Sequence, residues 1–283
     1  MVRARHIIVS VLIVFSAAFV AFAQAPATAD KADAMWEAAR KGDAAMVKKL
    51  LDEGVDVNTK YRYGATALSY ASDRGNLEVV KLLLDRGADA NVRDTFYRAT
   101  PLNWAVSPAM GRKPEHAEIV GLLLKHGAQG KEIALMAAVS APDTATTKVI
   151  LDSGGLSPNT LSGALEAAKK SNRQEIVTLL EQAGAKPLVE VKLDAAQLAR
   201  YVGTYRGTGA ASQAQLTVTV AGERLSANLS GQPLTLVARD PTTFGVAEQP
   251  VTTVTFRLEQ DKAAAVTLSA VGNSITFTRV EDK

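Results

Sequence analysis

The chain repeats itself at a spacing of 33 residues, and that spacing constrains the fold more than any other feature. The cleanest copy spans residues 64–91, GATALSYASDRGNLEVVKLLLDRGADAN. Within it Leu68, Ala71 and Ser72 share one short helical face. Leu77, Val79, Val80, Leu82, Leu83 and Leu84 make a broader one beyond the break at Gly75-Asn76. Two short antiparallel helices are expected, the second stopped by Gly87, which tolerates the positive φ of a helix C-terminus. A lone pair of helices this short cannot bury its apolar stripes, so the unit needs neighbours.

The neighbours are present. Residues 31–60 contain AMWEAARKGDAAMVKKLLDEGVDVN, with Gly42 and Gly54 each 33 positions before Gly75 and Gly87. A third unit, residues 100–128, carries about seven extra residues, since Gly127 follows Gly87 by 40 rather than 33. A fourth, 133–155, is short and degenerate. The fifth, 164–185, aligns without a gap on 67–88, with Asn172 in the place of Gly75. Its outer helix carries Gln174, Glu175, Glu181 and Gln182, which suits a solvated terminal cap.

This period, the starts Thr66-Ala67-Leu68-Ser69 and Thr100-Pro101-Leu102-Asn103, and the GAD-N endings resemble the ankyrin repeat over residues 31–186. The resemblance implies a helical solenoid whose finger tips and inner-helix starts line a concave groove for a protein partner. On that basis Arg62, Tyr63, Asp73, Arg74, Phe96, Tyr97 and Arg98 face the partner. An independent physical reason points the same way. The fingers, residues 59–64 and 93–98, are dominated by tyrosine and arginine, which combine large contact area with few rotors or a planar fork. The competing reading is that these aromatics pack finger on finger.

Trp36, Tyr70 and Trp104 occupy one equivalent position in three successive inner helices. Packing between repeats is the favoured reading, and an aromatic ladder along the groove is the other. The insertion 107–114, SPAMGRKP, is expected as an exposed loop at the end opposite the fingers, either a second contact site or tolerated length.

From residue 187 the pattern changes. Residues 193–200 read as a short helix, and alternation follows at 215–220, 224–229, 234–237, 253–258, 266–268 and 275–278. Ala221-Gly222, Ser230-Gly231 and Gly272-Asn273 supply turns. About eight strands of five to seven residues predict a small antiparallel barrel or sandwich over 187–283, and closure would remove exposed edges. The opening LDAAQLARYVGTY, with Tyr201-x-Gly203-x-Tyr205, then Leu225, Phe244, Val254 and Phe256, and the terminal Phe277-x-Arg279, resembles the lipocalin-like domain appended to penicillin-binding-protein and β-lactamase-related serine hydrolases. In that family the barrel accompanies a hydrolase domain. The chain contains neither a Ser-x-x-Lys nucleophile motif nor a Gly-x-Ser-x-Gly elbow, so no catalytic residue is expected.

Residues 1–23 carry Arg3 and Arg5, an apolar run broken by Ser10 and Ser16, and Ala21-Phe22-Ala23 before Gln24. This reads as a secretory signal peptide, followed by a flexible leader over 24–30, and places the protein in a bacterial periplasm or outside the cell. The alternative is an uncleaved membrane anchor, because 17 apolar residues lie at the lower limit for spanning a bilayer. The absence of cysteine excludes disulfides and thiolate chemistry, and favours a bacterial envelope protein. Loss of Arg3 and Arg5 changes 32 basic against 29 acidic residues to 30 against 29, so no nucleic-acid partner is implied. The histidines His6, His116 and His126 lack metal-ligand spacing, and no metal or cofactor is expected. The expected function is an exported protein-binding scaffold with an accessory barrel. The alternative is a carrier or sensor with a small apolar ligand inside the barrel and the repeats as its docking module.

Overall fold

A computed structural model of the chain describes residues 25–247, 249–270 and 273–280, and its contacts divide between Gln129 and Gly130 into two compact units. The expected signal segment, residues 1–23, lies outside the described residues.

The described part of the first unit is three helix pairs: α1 (Ala25–Lys41) with α2 (Ala44–Asp52), α3 (Ala67–Arg74) with α4 (Leu77–Asp85), and α5 (Pro101–Val106) with α6 (Glu115–Lys125). The leader expected to be flexible over 24–30 is helical from Ala25. Alanine is the best helix former, and Pro26 falls in the first turn, where a missing N–H breaks no helical bond. Inner helices α1, α3 and α5 pack in sequence, and so do outer helices α2, α4 and α6. Leu68, Val79, Val80, Leu83, Leu102, Ile119 and Leu123 are buried between them.

The repeating residues are explained by their bonds. Thr66 and Thr100 each cap an inner helix in a reciprocal capping box, with Ser69 and Asn103 respectively. Gly75 turns the chain at φ 67°, and a Cβ there would lie 2.9 Å from the His116 ring. The Asn that ends each unit ties it to the next. Asn58 Oδ1 accepts from Asp89 N–H, 31 residues on, and Asn91 Oδ1 accepts from Gln129 N–H, 38 residues on, both at 2.8 Å. The seven-residue difference is the insertion, so the same contact is kept around it.

In the second unit, α7 (Lys131–Ser140) pairs with α8 (Thr144–Asp152), and α9 (Pro158–Lys170) with α10 (Gln174–Gln182). The fourth unit, degenerate in sequence, is thus a regular helix pair, its second helix capped by the Asp143 carboxylate on Thr146 N–H. Asn172 holds φ 53° in the place of Gly75, a conformation that Asn tolerates better than most non-glycine residues.

A short helix, α11 (Ala195–Ala199), leads into the strands β1 (Gly203–Gly207), β2 (Gln215–Ala221), β3 (Arg224–Leu229), β4 (Gln232–Ala238), β5 (Thr243–Val246), β6 (Gln249–Glu259), β7 (Lys262–Ala270) and β8 (Asn273–Arg279). They pair antiparallel in chain order and close into a barrel through β1 and β8, with Tyr205 opposite Arg279 and Gly207 opposite Phe277. Strand lengths depart from the expected five to seven residues, since β5 has 4 and β6 has 11. A register shift between Gly245 and Val246 lets the short strand meet the long one.

Tyr201-x-Gly203-x-Tyr205 is a closure lock. Tyr205 Oη donates to the Tyr201 carbonyl at 2.6 Å, and Tyr201 Oη donates to the Pro241 carbonyl. The Arg279 guanidinium donates to the carbonyls of Ala263 and Val202 and lies over the Tyr205 ring, 5.7 Å from its centroid. A Cβ on Gly203 would meet that guanidinium at 2.8 Å. Burial pushes the Tyr205 phenol up to about 12, with Arg279 opposing. Leu216, Val218, Leu225, Leu236, Phe244, Val254, Phe256, Val266 and Phe277 fill the interior. A cavity bordered by Leu198, Leu225, Leu236 and Phe244 measures about 10 Å³, the space of at most one water.

Candidate functional site

The site is built from the two fingers of the first unit. In the first, Tyr61 N–H donates to Ala65 O at 2.8 Å, and Lys60 bridges Thr66. Between them Tyr63 takes φ 57°, a left-handed conformation unusual for an aromatic residue. The second finger is organised by Asp94, 5% exposed, whose carboxylate accepts the backbone N–H groups of Phe96, Tyr97, Arg98 and Ala99 at 2.6–3.2 Å. The same carboxylate accepts Trp104 Nε1–H at 3.2 Å, which pins the finger to α5. Thr95 N–H donates to the Tyr63 carbonyl at 2.6 Å and joins the fingers. A carboxylate with this many donors over-determines the loop, so Arg98 also stays at positive φ, 56°.

The fingers hold a run of rings. Tyr63 and Phe96 lie 5.5 Å apart between centroids, Phe96 and Tyr97 4.6 Å, and Tyr97 and Trp104 5.5 Å, the last two edge to face. A second cluster stacks Trp36 on Tyr61 at 4.4 Å with Tyr70 against its edge. Burial raises the Tyr70 phenol above its ordinary value, with the Trp36 indole opposing. Arg62 lies over the Tyr61 ring, 5.7 Å from its centroid.

The finger rings, Tyr70 and Arg62 border a partly open pocket of about 380 Å³, within the usual range for ligand sites. Its lining includes Arg62, Tyr63, Tyr70, Asp73, Arg74, Phe96, Tyr97, Trp104 and Met110. Of the seven residues expected to face a partner, six therefore come together here. Arg98 is exposed at the finger tip beside Tyr97 but does not line the pocket. Tyr63, Phe96, Tyr97 and Met110 are 65, 64, 68 and 63% exposed, which is unusual for apolar side chains of this size grouped together. The finger rings pack on one another, as the competing reading had it, and they also face solvent. Tyr70 and Trp104 are half-buried and contribute pocket wall rather than sealed core.

The insertion is a largely exposed loop, as expected, and it is also tied to the first unit's inner helix α3. It leaves α5 at the end away from the fingers, but it folds back onto α3. Asp73 Oδ1 accepts Ala109 N–H at 2.7 Å, Lys113 Nζ donates to Arg74 O at 2.6 Å, and the buried His116 places Nε2 3.2 Å from Asp73 O. Ala109 and Met110 thereby form the far wall of the pocket. Asp73 and Arg74, 3.6 Å apart at Oδ2 and Nε, anchor this wall. Sequence reasoning missed Asp94, and placed Met110 only within the insertion, as part of a separate contact site or tolerated length rather than a wall of this one. Asp94 carried a local signal, an Asx residue opening a turn ahead of a capping Thr. Met110 carried none, because its place depends on Asp73, 36 residues away from Ala109.

The family model described as Ankyrin repeats (3 copies) matches residues 10–94 and again residues 34–131. The N-terminal part of the chain therefore carries helical ankyrin repeats, and the pocket lies wholly within the matched residues. No curated protein matches the chain. No group of three metal-ligating side chains occurs among the described residues, and no helix among them is long and apolar enough to cross a membrane.

Proposed function

We propose that this is an exported, non-catalytic scaffold that holds another protein in the groove of its ankyrin repeats, with the barrel as a lipocalin-like accessory domain. The observation that carries the reading is the aromatic pocket: exposed rings on two fingers, the second fixed by Asp94 and the first joined to it through Thr95, with Met110 at the far end. Side chains ordered before binding lose little entropy when a partner arrives, which is what a binding surface needs and a tolerated loop does not. Tyrosine and arginine at its edge are the residue types that dominate binding energy. Export to a bacterial periplasm or beyond rests on the basic, apolar and small-residue pattern of residues 1–23 and on the lack of cysteine. A membrane contact enters only with an uncleaved N-terminal segment. The carrier alternative gains no support from a barrel interior filled by large apolar side chains.

Photo-cross-linking in the source cell tests the groove. A benzophenone side chain at position 97 is expected to give one dominant protein adduct, and the same group at the exposed barrel position 220 is expected to give none. Equal adducts at both positions would contradict the reading. N-terminal sequencing of the mature protein tests export, with Gln24 as the expected first residue.

A further inference from the structure

We propose that the groove selects an acidic segment of its partner, which inserts a large apolar side chain between Tyr63, Tyr97 and Met110 and pairs flanking carboxylates with Arg62 and Arg98. This deepens the groove reading and rests on it. The reason is an imbalance between used and unused charge. The two fingers carry four cationic side chains, Lys60, Arg62, Arg93 and Arg98, against one carboxylate, Asp94. Asp94 is saturated by four backbone N–H groups and an indole N–H. Asp73, the other carboxylate at the pocket, is taken up by Ala109 N–H and Arg74.

Among the described residues none of Lys60, Arg62, Arg93 and Arg98 is in an ion pair, whereas Lys48, Lys81 and Arg86 in the same unit all are. Arg93 donates to the Arg98 carbonyl, and Arg62 rests on Tyr61, so both are held in place while keeping donors open. An apolar pocket with Arg62 open in its lining, Arg98 exposed at the finger tip beside Tyr97 and no open carboxylate is complementary to an apolar anchor between acids. A cationic ligand would gain from the rings but meet an uncompensated positive rim. A single-stranded nucleic acid could also use rings and arginines, but it stacks flat bases on platforms, whereas these rings meet at steep angles around a hollow.

Selection of a random dodecapeptide library on the full chain tests this. Enriched peptides are expected to carry a Phe, Trp, Leu or Met with Asp or Glu on both sides. Binding of a synthetic peptide of that consensus is expected to fall about tenfold on Arg62→Ala/Arg98→Asn, with the difference lost in 1 M NaCl. Enriched peptides that are neutral or basic, yet lose binding on Phe96→Ser/Tyr97→Ser, would overturn the acidic preference and leave the groove reading standing. Peptides indifferent to Phe96→Ser/Tyr97→Ser, or no enrichment at all, would overturn both. Tighter binding of a ten-residue oligothymidylate than of the consensus peptide would overturn the proposal in favour of nucleic acid.

Discussion

The Thr95 backbone N–H donates to the carbonyl of Tyr63 at 2.6 Å, and through this one bond the finger of one repeat is fixed to that of the next. It joins two segments each held in an unusual conformation, with Tyr63 and Arg98 at positive φ. The proposed contact surface is thus a single body made from two repeats. The best-formed repeat, 64–91, acts as the spacer between its fingers.

Asp94 is the centre of that body. Asp94→Ala removes an acceptor from five N–H groups and is expected to cost about 2–4 kcal/mol, most of the loss arising from charge-assisted bonds. Hydrogen exchange checks it locally: the amides of Phe96, Tyr97 and Arg98 should exchange much faster, while those of α4 change little. Unchanged exchange at these three amides would contradict the assigned role.

Gly203 combines a close approach with a backbone conformation that L residues rarely adopt, at φ 156°, whereas Gly87 has the backbone conformation alone. Gly203→Ala would add to that backbone cost a Cβ within 2.8 Å of the Arg279 guanidinium, breaking the closure lock and costing about 2–4 kcal/mol in all. Gly87 sits at φ 82° with open space around it, so Gly87→Ala is expected to cost only the backbone term, about 1 kcal/mol. Urea unfolding of the two variants measures both, and equal losses would contradict the contrast.

The Tyr205 phenol, raised from about 10 to about 12 by burial, gives the barrel an alkaline limit. Its folded-state pKa lies above the unfolded value, so its contribution is fully present below pH 10 and is lost as pH rises towards 12. The loss amounts to at most about 3 kcal/mol. Tyr205→Phe should lower stability by about 1 kcal/mol at pH 7, through the bond to the Tyr201 carbonyl, and flatten the decline between pH 10 and 12. An identical alkaline slope in that variant would contradict the assignment.

How much of this was legible in the sequence follows from how local each determinant is. Helix pairs were readable because Gly75, Gly87 and the Thr caps act within a few residues. Strands β2 and β3 were readable because Leu216, Val218, Leu225 and Ala227 alternate with polar neighbours. Strand β5 was not, because its four residues, TFGV, are too few to show a period. Most of β7 was hidden by Ala263, Ala264 and Ala265, which have low strand preference and are held there by pairing with β6 and β8. At the site, finger composition pointed to Arg62, Tyr63, Phe96 and Tyr97. The wall formed by Met110 was not legible, because it depends on the Asp73 to Ala109 bond across 36 residues.

The proposed function rests on Arg62, Tyr63, Tyr97 and Arg98 holding a protein partner. Its most direct test is partner capture by the variant Arg62→Ala/Tyr63→Asn/Tyr97→Ala/Arg98→Asn, read beside its melting temperature. Asparagine keeps the left-handed backbone at positions 63 and 98, so folding is preserved. The account predicts loss of the partner that the parent chain retains, with an almost unchanged melting temperature; retained capture by a folded variant would contradict it.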